Sequence, residues 1–425
     1  MKVLGIVVEY NPFHNGHIYH IEQSKAVTGC DAVVCVMSGN FVQRGEPAVI
    51  NKFARTQIAL QNGVDLVIEL PHPFAMSTAE TFGFGAVKIL DSIGIVDCIS
   101  FGSEHGDIAS LQYISNILVN EPQEYKDELK KQLDLGLSFP VCRQKAMHKY
   151  LEICPSKYCA VDTSALLETS NNILGIEYLK AMNRLKSLIK PYTIERVSNQ
   201  YNLSALTGDI SSATSIRNSI HDMRDQEQSQ LSLNAARSLP QHSKITIEKE
   251  LSEGRGPNSI YQFESILLAF LRQISVEKLR EVPGISEGLE YRIKNASEIS
   301  GNFDELLLNI CTKRYTQTRI QRILLSLLTG ITKCDIELFM QYGGPQYSRI
   351  LGFNKVGREL LSRIKKNSSL PIITKPSDYK DSCNKLLSKM IEIEAQSTDM
   401  YVLGYKNPTF RKAGQEFTQN IVVYK

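Results

Sequence analysis

The 425-residue chain has no tryptophan, and its nine cysteines are scattered without a Cys-x-x-Cys pair. That excludes the common thiolate zinc sites and argues against a disulfide framework, so free thiols in a cytoplasmic setting are the expectation. No apolar run approaches the ~18–20 residues of a membrane-spanning helix. The N-terminus enters an apolar pattern after one lysine, without the layout of a signal peptide. Charge of one sign is also scarce, since 48 Lys and Arg stand against 45 Asp and Glu, leaving +3. So small a sum does not announce a nucleic-acid binder, and the distribution of charge has to decide. Hydrophobic content of 42% and charged content of 22% are those of an ordinary globular protein, with length for roughly two or three domains.

What is present begins at once. Val3-Leu4-Gly5-Ile6-Val7-Val8 is a β-branched apolar run, the pattern of a strand buried on both faces. It ends at Glu9-Tyr10-Asn11-Pro12-Phe13, turns through His14-Asn15-Gly16-His17, and resumes as a helical pattern from Ile18. A strand feeding a Gly-containing turn and a helix start offers free backbone N–H groups and the positive end of a helix dipole to an anion such as phosphate. His14 and His17, one helical turn apart, can donate to phosphate oxygens or to charge developing during transfer at phosphorus. Without further context such a pair is equally a structural, solvated or metal-binding feature. His20, in the same spacing, reads as a surface residue.

Strand and helix then alternate. Apolar segments at 31–40, 64–71, 96–104 and 190–197 read as further strands, with helices over 52–60 and 77–90 and a loop at 41–47. The expected fold class is α/β, a Rossmann-like doubly wound parallel sheet whose ligand crevice lies beyond the carboxyl ends of its strands. Gly102 suits close backbone approach to a base or ribose, or a plain strand-end turn. Arg44 can reach a phosphate or carboxylate, or stay solvated. Residues 107–165 read as a helical insertion. Asn171 and Asn172 precede an amphipathic helix and can cap it or meet a nucleoside. Ser212-Ala213-Thr214-Ser215-Ile216-Arg217 puts hydroxyls and a guanidinium at a helix start, a second phosphate cradle or an ordinary N-cap.

The expected division is a catalytic domain over 1–221, a polar linker or exposed helix joining the domains over 222–257, and a mainly helical domain over 258–425. In the last, Arg292, Lys313, Arg314, Arg319 and Arg322 cluster around Tyr291 and Tyr315. Arg319 and Arg322 share a helix face, and basic groups interleaved with Tyr suit RNA phosphates and unstacked bases, or a solvated surface.

The His-x-Gly-His turn after a first strand resembles the adenylyltransferase superfamily related to class I aminoacyl-tRNA synthetases. Four longer blocks narrow this: 7–17 through the His turn, Met37-Ser38-Gly39-Asn40-Phe41-Val42-Gln43-Arg44-Gly45-Glu46-Pro47, Asn62-Gly63-Val64-Asp65-Leu66-Val67-Ile68-Glu69-Leu70-Pro71, and Ser100-Phe101-Gly102-Ser103-Glu104. With Asn171-Asn172-Ile173-Leu174-Gly175, the Ser212–Arg217 block and Lys313-Arg314-Tyr315, they are similar to the bacterial tRNA(Met) cytidine acetate ligases over most of the chain. The resemblance implies ATP, with Mg2+, as substrate, acetate activated as acetyl-adenylate, and acetyl transfer to N4 of the wobble cytidine of elongator tRNA(Met). It implies ATP contacts from Val7, Val8, Glu9, Tyr10, Asn11, Pro12, Phe13, His14, Asn15, Gly16, His17 and His20. Gly102, Asn171 or Asn172, Arg196, Val197, Ser212, Ser215 and Arg217 complete that set. His14 and His17 would be catalytic, and no resident metal is implied. After Arg196 the family has a Gly-containing stretch leading to Tyr-His-Asp where this chain has Val197-Ser198-Asn199-Gln200-Tyr201-Asn202, which weakens the inferred contact there. A small-molecule adenylyltransferase on the same fold is the first competing reading, and the long basic helical half speaks against it. A non-catalytic RNA-binding protein is the second, against which His14, Gly16, His17 and Arg217 stand.

Overall fold

The N-terminal apolar run forms β1 (Val3–Val8), with Val3, Leu4 and Ile6 fully buried. In this computed structural model, which describes residues 1–137, 139–154, 166–196, 212–225, 233–379 and 382–425, β1 is central. It pairs in parallel with β2 (Ala32–Ser38) on one side and β6 (Cys98–Ser103) on the other. β5 (Leu66–Leu70) lies parallel outside β2, and β7 (Lys190–Glu195) parallel outside β6. Every residue of β2 and β5 is buried, which accounts for their unbroken apolar runs: such strands are covered on both faces. The strand order runs outward from β1 in both directions, so the crevice opens between β1 and β6, beyond their carboxyl ends.

Two local differences from the sequence expectation matter. The loop over 41–47 is a small antiparallel hairpin of β3 (Phe41–Val42) and β4 (Glu46–Pro47). At its tip Gly45 has φ +77°, and a Cβ there would lie 2.6 Å from the Arg322 backbone N. The turn therefore requires glycine both for its left-handed backbone and for its contact with the helix Gln317–Thr329. The region expected to be a linker or exposed helix is helical where described, at Leu233–Ser238 and Gln241–Ser252, but it is not an exposed strap. Ala235, Leu239 and Ile247 are buried with Ile216 and Ile220 in one apolar cluster, so this segment is packed into the fold.

The second half is helical from 260 to 341 and then returns to the sheet. β8 (Ser348–Phe353) pairs antiparallel with β5, and β9 (Ile372–Ile373) and β10 (Val422–Val423) pair with β8. The sheet is thus mainly parallel with an antiparallel margin drawn from the chain's end. β10 is formed within the short apolar run Ile421-Val422-Val423, whereas β8 opens on the polar Ser348-Arg349, which does not read as a strand. The helix Lys385–Val402 seals this side. Among the described residues no helix is long and apolar enough to cross a membrane.

Candidate active site

The turn after β1 holds two imidazoles in a reciprocal cap. His14 is the N-cap of α1 (Asn15–Thr28), and its Nδ1 accepts the Gly16 N–H at 3.1 Å. In return His17 Nδ1 accepts the His14 N–H, also at 3.1 Å. This is a capping box in which imidazoles take the places of the usual hydroxyl and carboxylate. With both Nδ1 lone pairs committed, the ring proton of each neutral histidine belongs on Nε2. The two rings lie 3.8 Å apart between centroids, and Tyr10 and Phe13 back His17 at 4.9 and 5.4 Å. Burial, with Arg196 and Arg217 nearby, brings the His14 pKa down to about 3. Burial and then His14 hold His17 well below its ordinary value. Both are therefore neutral N–H donors near pH 7. His20, one turn further, is brought to about 4 by burial, and its Nε2 is buried with no partner among the described residues. It is not the surface residue its position suggested.

The turn is fixed from several sides. The Asn11 side chain accepts the Val49 N–H at 2.8 Å, and the Asn11 carbonyl accepts from Arg217 at 2.9 Å. Asn15 donates to the Arg237 carbonyl at 3.0 Å. Arg217 is buried, pairs with Glu46 at 3.3 Å and donates to Thr214. It stands in the first turns of the helix Ala213–Asp225, whose start is capped by Ser212 Oγ accepting the Ser215 N–H at 3.1 Å. Two helix N-termini and two neutral imidazoles therefore meet, an arrangement able to surround a polyphosphate.

Across the crevice, Glu104 just after β6 caps the helix Ser170–Leu185. Its carboxylate accepts from Asn171 Nδ2 at 2.7 Å, the Asn172 N–H at 3.0 Å and Thr169 at 2.8 Å. Asn172 is buried, and its side-chain oxygen accepts the Glu104 N–H at 3.0 Å. Asn171 is half-buried and accepts from the exposed Arg196 at 3.1 Å. Of the two asparagines, Asn171 is the one at the crevice rim. A Cβ on Gly102 would sit 3.1 Å from Arg196 Cγ, so Gly102 lies directly beneath that side chain. Val197 lies outside the described residues.

The sequence reading missed Arg55. Fully buried in α2 (Lys52–Gln61), it donates to the carbonyls of Glu9 at 2.6 Å, Ser38 at 3.0 Å, Ile50 at 3.2 Å and Gly39. It thereby ties together the carboxyl ends of β1 and β2. Lys52, also missed, is buried among Glu69 at 2.6 Å, Glu394 at 3.1 Å and Glu416 at 2.8 Å, with Arg349 against Glu69 at 2.9 Å. These are the three carboxylates that converge among the described residues, and two cations already fill the space between them.

The basic residues of the second half divide. Lys313 is exposed, and the exposed Arg314 pairs with Glu287. Arg292 donates to the Ile310 carbonyl at 2.7 Å, and Arg319 to the Gly284 carbonyl at 2.8 Å while lying over the Tyr315 ring at 5.2 Å. Arg322 departs from the expected open basic face. It is half-buried and donates to the Gln43 carbonyl at 3.1 Å, clasping the β3–β4 hairpin.

Comparison with known proteins follows the same lines. Residues 1–416 match the family model described as HIGH Nucleotidyl Transferase. The chain is 52% identical over 423 residues to the tRNA(Met) cytidine acetate ligase of Acetivibrio thermocellus, covering all of both chains. It is 44% identical to the protein of that name from Thermoanaerobacter sp., over 99% of this chain and all of the relative. The crystal structure of Thermotoga maritima TmcAL bound with alpha-thio ATP superposes with a TM-score of 0.91 at 38% identity, over 100% of this chain and 99% of the other. A HIGH turn built as a paired imidazole cap, in a mainly parallel α/β sheet matched along its whole length, leads to one conclusion: the chain belongs to the HIGH nucleotidyl transferase family and, within it, to the tRNA(Met) cytidine acetate ligases.

Proposed function

We propose that this protein uses ATP, carrying Mg2+ on its phosphates, to convert acetate to acetyl-adenylate with release of pyrophosphate. It then transfers the acetyl group to N4 of the wobble cytidine of elongator tRNA(Met), giving N4-acetylcytidine. The observation that carries this reading is the double imidazole cap beside Arg217. Acetate attack at the α-phosphorus places added negative charge on the phosphoryl oxygens, and fixed N–H donors that need no reorientation stabilise that charge. In this reading His14 and His17 donate through Nε2, while Ser212, Ser215 and the start of their helix hold the outer phosphates. Arg217 fixes the turn through the Asn11 carbonyl and adds its charge. The segment from Val7 to His20, with Gly102, Asn171 and Arg196, forms the rest of the nucleotide site. The ATP-analogue complex of the Thermotoga maritima relative supports nucleotide binding, and the names of the relatives support the tRNA and acetate.

The tRNA is proposed to run along the helices that carry Arg292, Lys313, Arg314 and Arg319, with Arg322 turned inward to the hairpin. Docking of the Gln317–Thr329 helix onto a hairpin beside the site favours this over a small-molecule acceptor, which has no use for a basic surface there. The test has two parts. Purified protein should catalyse acetate-dependent exchange of pyrophosphate into ATP, and with elongator tRNA(Met) should yield N4-acetylcytidine by nucleoside mass spectrometry. Absence of exchange with any carboxylate would remove the reading.

A further inference from the structure

We propose that the Glu9 carboxylate is the proton acceptor for the attacking cytidine amine in the second half-reaction, an inference that rests on the function proposed above. The other titratable groups around the turn cannot take that proton. His14 and His17 have each committed Nδ1 to a backbone N–H and carry their proton on Nε2, so neither offers a lone pair without dismantling the turn. Glu104 is occupied in capping a helix, and Glu46 is paired with Arg217. His20 stands five residues inside α1, ~8 Å along the axis from the helix start.

Glu9 differs from all of these. It follows β1 directly, at the carboxyl end of the central strand and five residues before the first histidine of the cap. It is half-buried, and only one of its oxygens is used: Oε1 accepts the Gln43 N–H at 2.7 Å. Among the described residues Oε2 has no hydrogen-bond partner. The charged and titratable groups around it come from four elements. Arg44 and Glu46 belong to the hairpin, Arg217 to the helix Ala213–Asp225, Arg55 to α2, and Tyr178 to the helix Ser170–Leu185.

The location also suits an acceptor that is part of a polynucleotide. Gln43, which holds Oε1, gives its carbonyl to Arg322 of the basic helix. Between them Arg44 is exposed and makes no hydrogen bond among the described residues. Glu9 thus stands on the seam between the His turn and the basic helices, with a cation at the mouth for a flanking phosphate. In the step itself the N4 nitrogen bonds to the carbonyl carbon of the acetyl-adenylate, and an amine proton passes to Oε2. The carbon–oxygen bond to AMP then breaks, and its electron pair leaves with the AMP phosphate. The proton on Glu9 is returned to solvent.

Burial raises the Glu9 pKa, opposed by the Gln43 N–H and then by Arg44 and Arg217. The active form is the carboxylate, so transfer should fall as pH drops through this raised value. The experiment measures acetyl transfer to tRNA and acetate-dependent pyrophosphate exchange on the same preparation. Glu9→Gln keeps the acceptor for Gln43 and removes the base. Glu9 lies in the nucleotide-binding segment, so exchange itself can fall in this variant; the expected result is a further fall of about 10²-fold in transfer relative to exchange, with loss of the acid limb from the transfer profile. Glu9→Asp, which retains a base at a shorter reach, should restore the limb and part of the ratio. A ratio within about threefold of wild type, or transfer and exchange falling together, would overturn the assignment. Wild-type protein without acetate-dependent exchange would instead defeat the underlying function.

Discussion

Two polar clusters sit at the carboxyl ends of the same sheet and are built in opposite ways. Beyond β2 and β5, Lys52 and Arg349 are enclosed by Glu69, Glu394 and Glu416, with Thr398 donating to Glu416 and the His72 N–H to Glu394. Charge is met by charge, and the helix Lys385–Val402 closes it from solvent. Beyond β1 and β6, the buried His14 and the half-buried His17 are held neutral, and Glu9 keeps an oxygen without a partner among the described residues. In the first arrangement each carboxylate meets a cation, which fastens the end of the chain to the sheet. The second is satisfied toward the backbone at Nδ1, which leaves its Nε2 donors for the anion of the proposed reaction. Polar burial alone does not mark a site; what separates them is whether the polar groups complete one another.

The comparison breaks most visibly if Lys52 loses its charge. Lys52→Met leaves three carboxylates facing one guanidinium in a dry interior, and should cost about 3–5 kcal/mol of unfolding free energy, read by denaturant titration. A loss under about 1 kcal/mol would mean that the cluster relaxes by taking up a proton. On the other side, in the reading proposed above, His17→Ala removes a donor that the transition state alone uses fully. Exchange should fall about 10²–10³-fold with stability lowered far less than in Lys52→Met. If stability fell as far as activity, the imidazole cap would be a fastening like its neighbour.

The same contrast explains what could be read in advance. β1, β2, β5 and β6 are legible because strands covered on both faces are unbroken apolar runs. The His turn and the Ser212 helix start are legible because caps are local in sequence. The ion-paired cluster is not local: Lys52 meets partners 342 and 364 residues further along. From the sequence, Lys52 and Arg55 belong to an amphipathic helix and look solvated. β8 was missed for the same reason, since Arg349 looks wrong for a strand until Glu69 stands opposite it. Asn171 and Asn172 were equivalent in sequence, and only the Glu104 cap separates the buried one from the one at the rim.

The two clusters also differ in how they respond to acid. The folded-state pKa of His14, about 3, lies below its ordinary 6.5. Between these values the unfolded chain binds a proton that the native chain does not, so stability rises with pH across the window. The contribution is fully present above about 6.5 and is lost as pH falls toward 3. Replacing His14 with Asn, whose side chain can also cap, should flatten this part of the stability curve. By NMR the His14 ring should show no imidazolium signature between pH 8 and 5 in the free protein. A midpoint near 6 would mean that the ring is solvated.

The smallest expected effects fall on the basic helix, where the comparison reappears between neighbours. Arg319 and Arg322 share a face by spacing, yet Arg319 remains at the surface over Tyr315 while Arg322 is spent on the Gln43 carbonyl. If Arg319 meets a tRNA phosphate, Arg319→Ala should weaken binding a few-fold at low salt and reduce the slope of log affinity against log salt by ~1. Arg322→Ala removes no exposed charge and should leave that slope nearly unchanged. It should instead loosen the hairpin that carries Gln43 and Arg44, so the effect should appear in acetyl transfer at saturating tRNA. Filter-binding isotherms across salt, set beside transfer rates, distinguish the two. Equal slopes for the two variants would mean that both arginines face the nucleic acid, and the clasp on the hairpin would then be a resting contact that tRNA displaces.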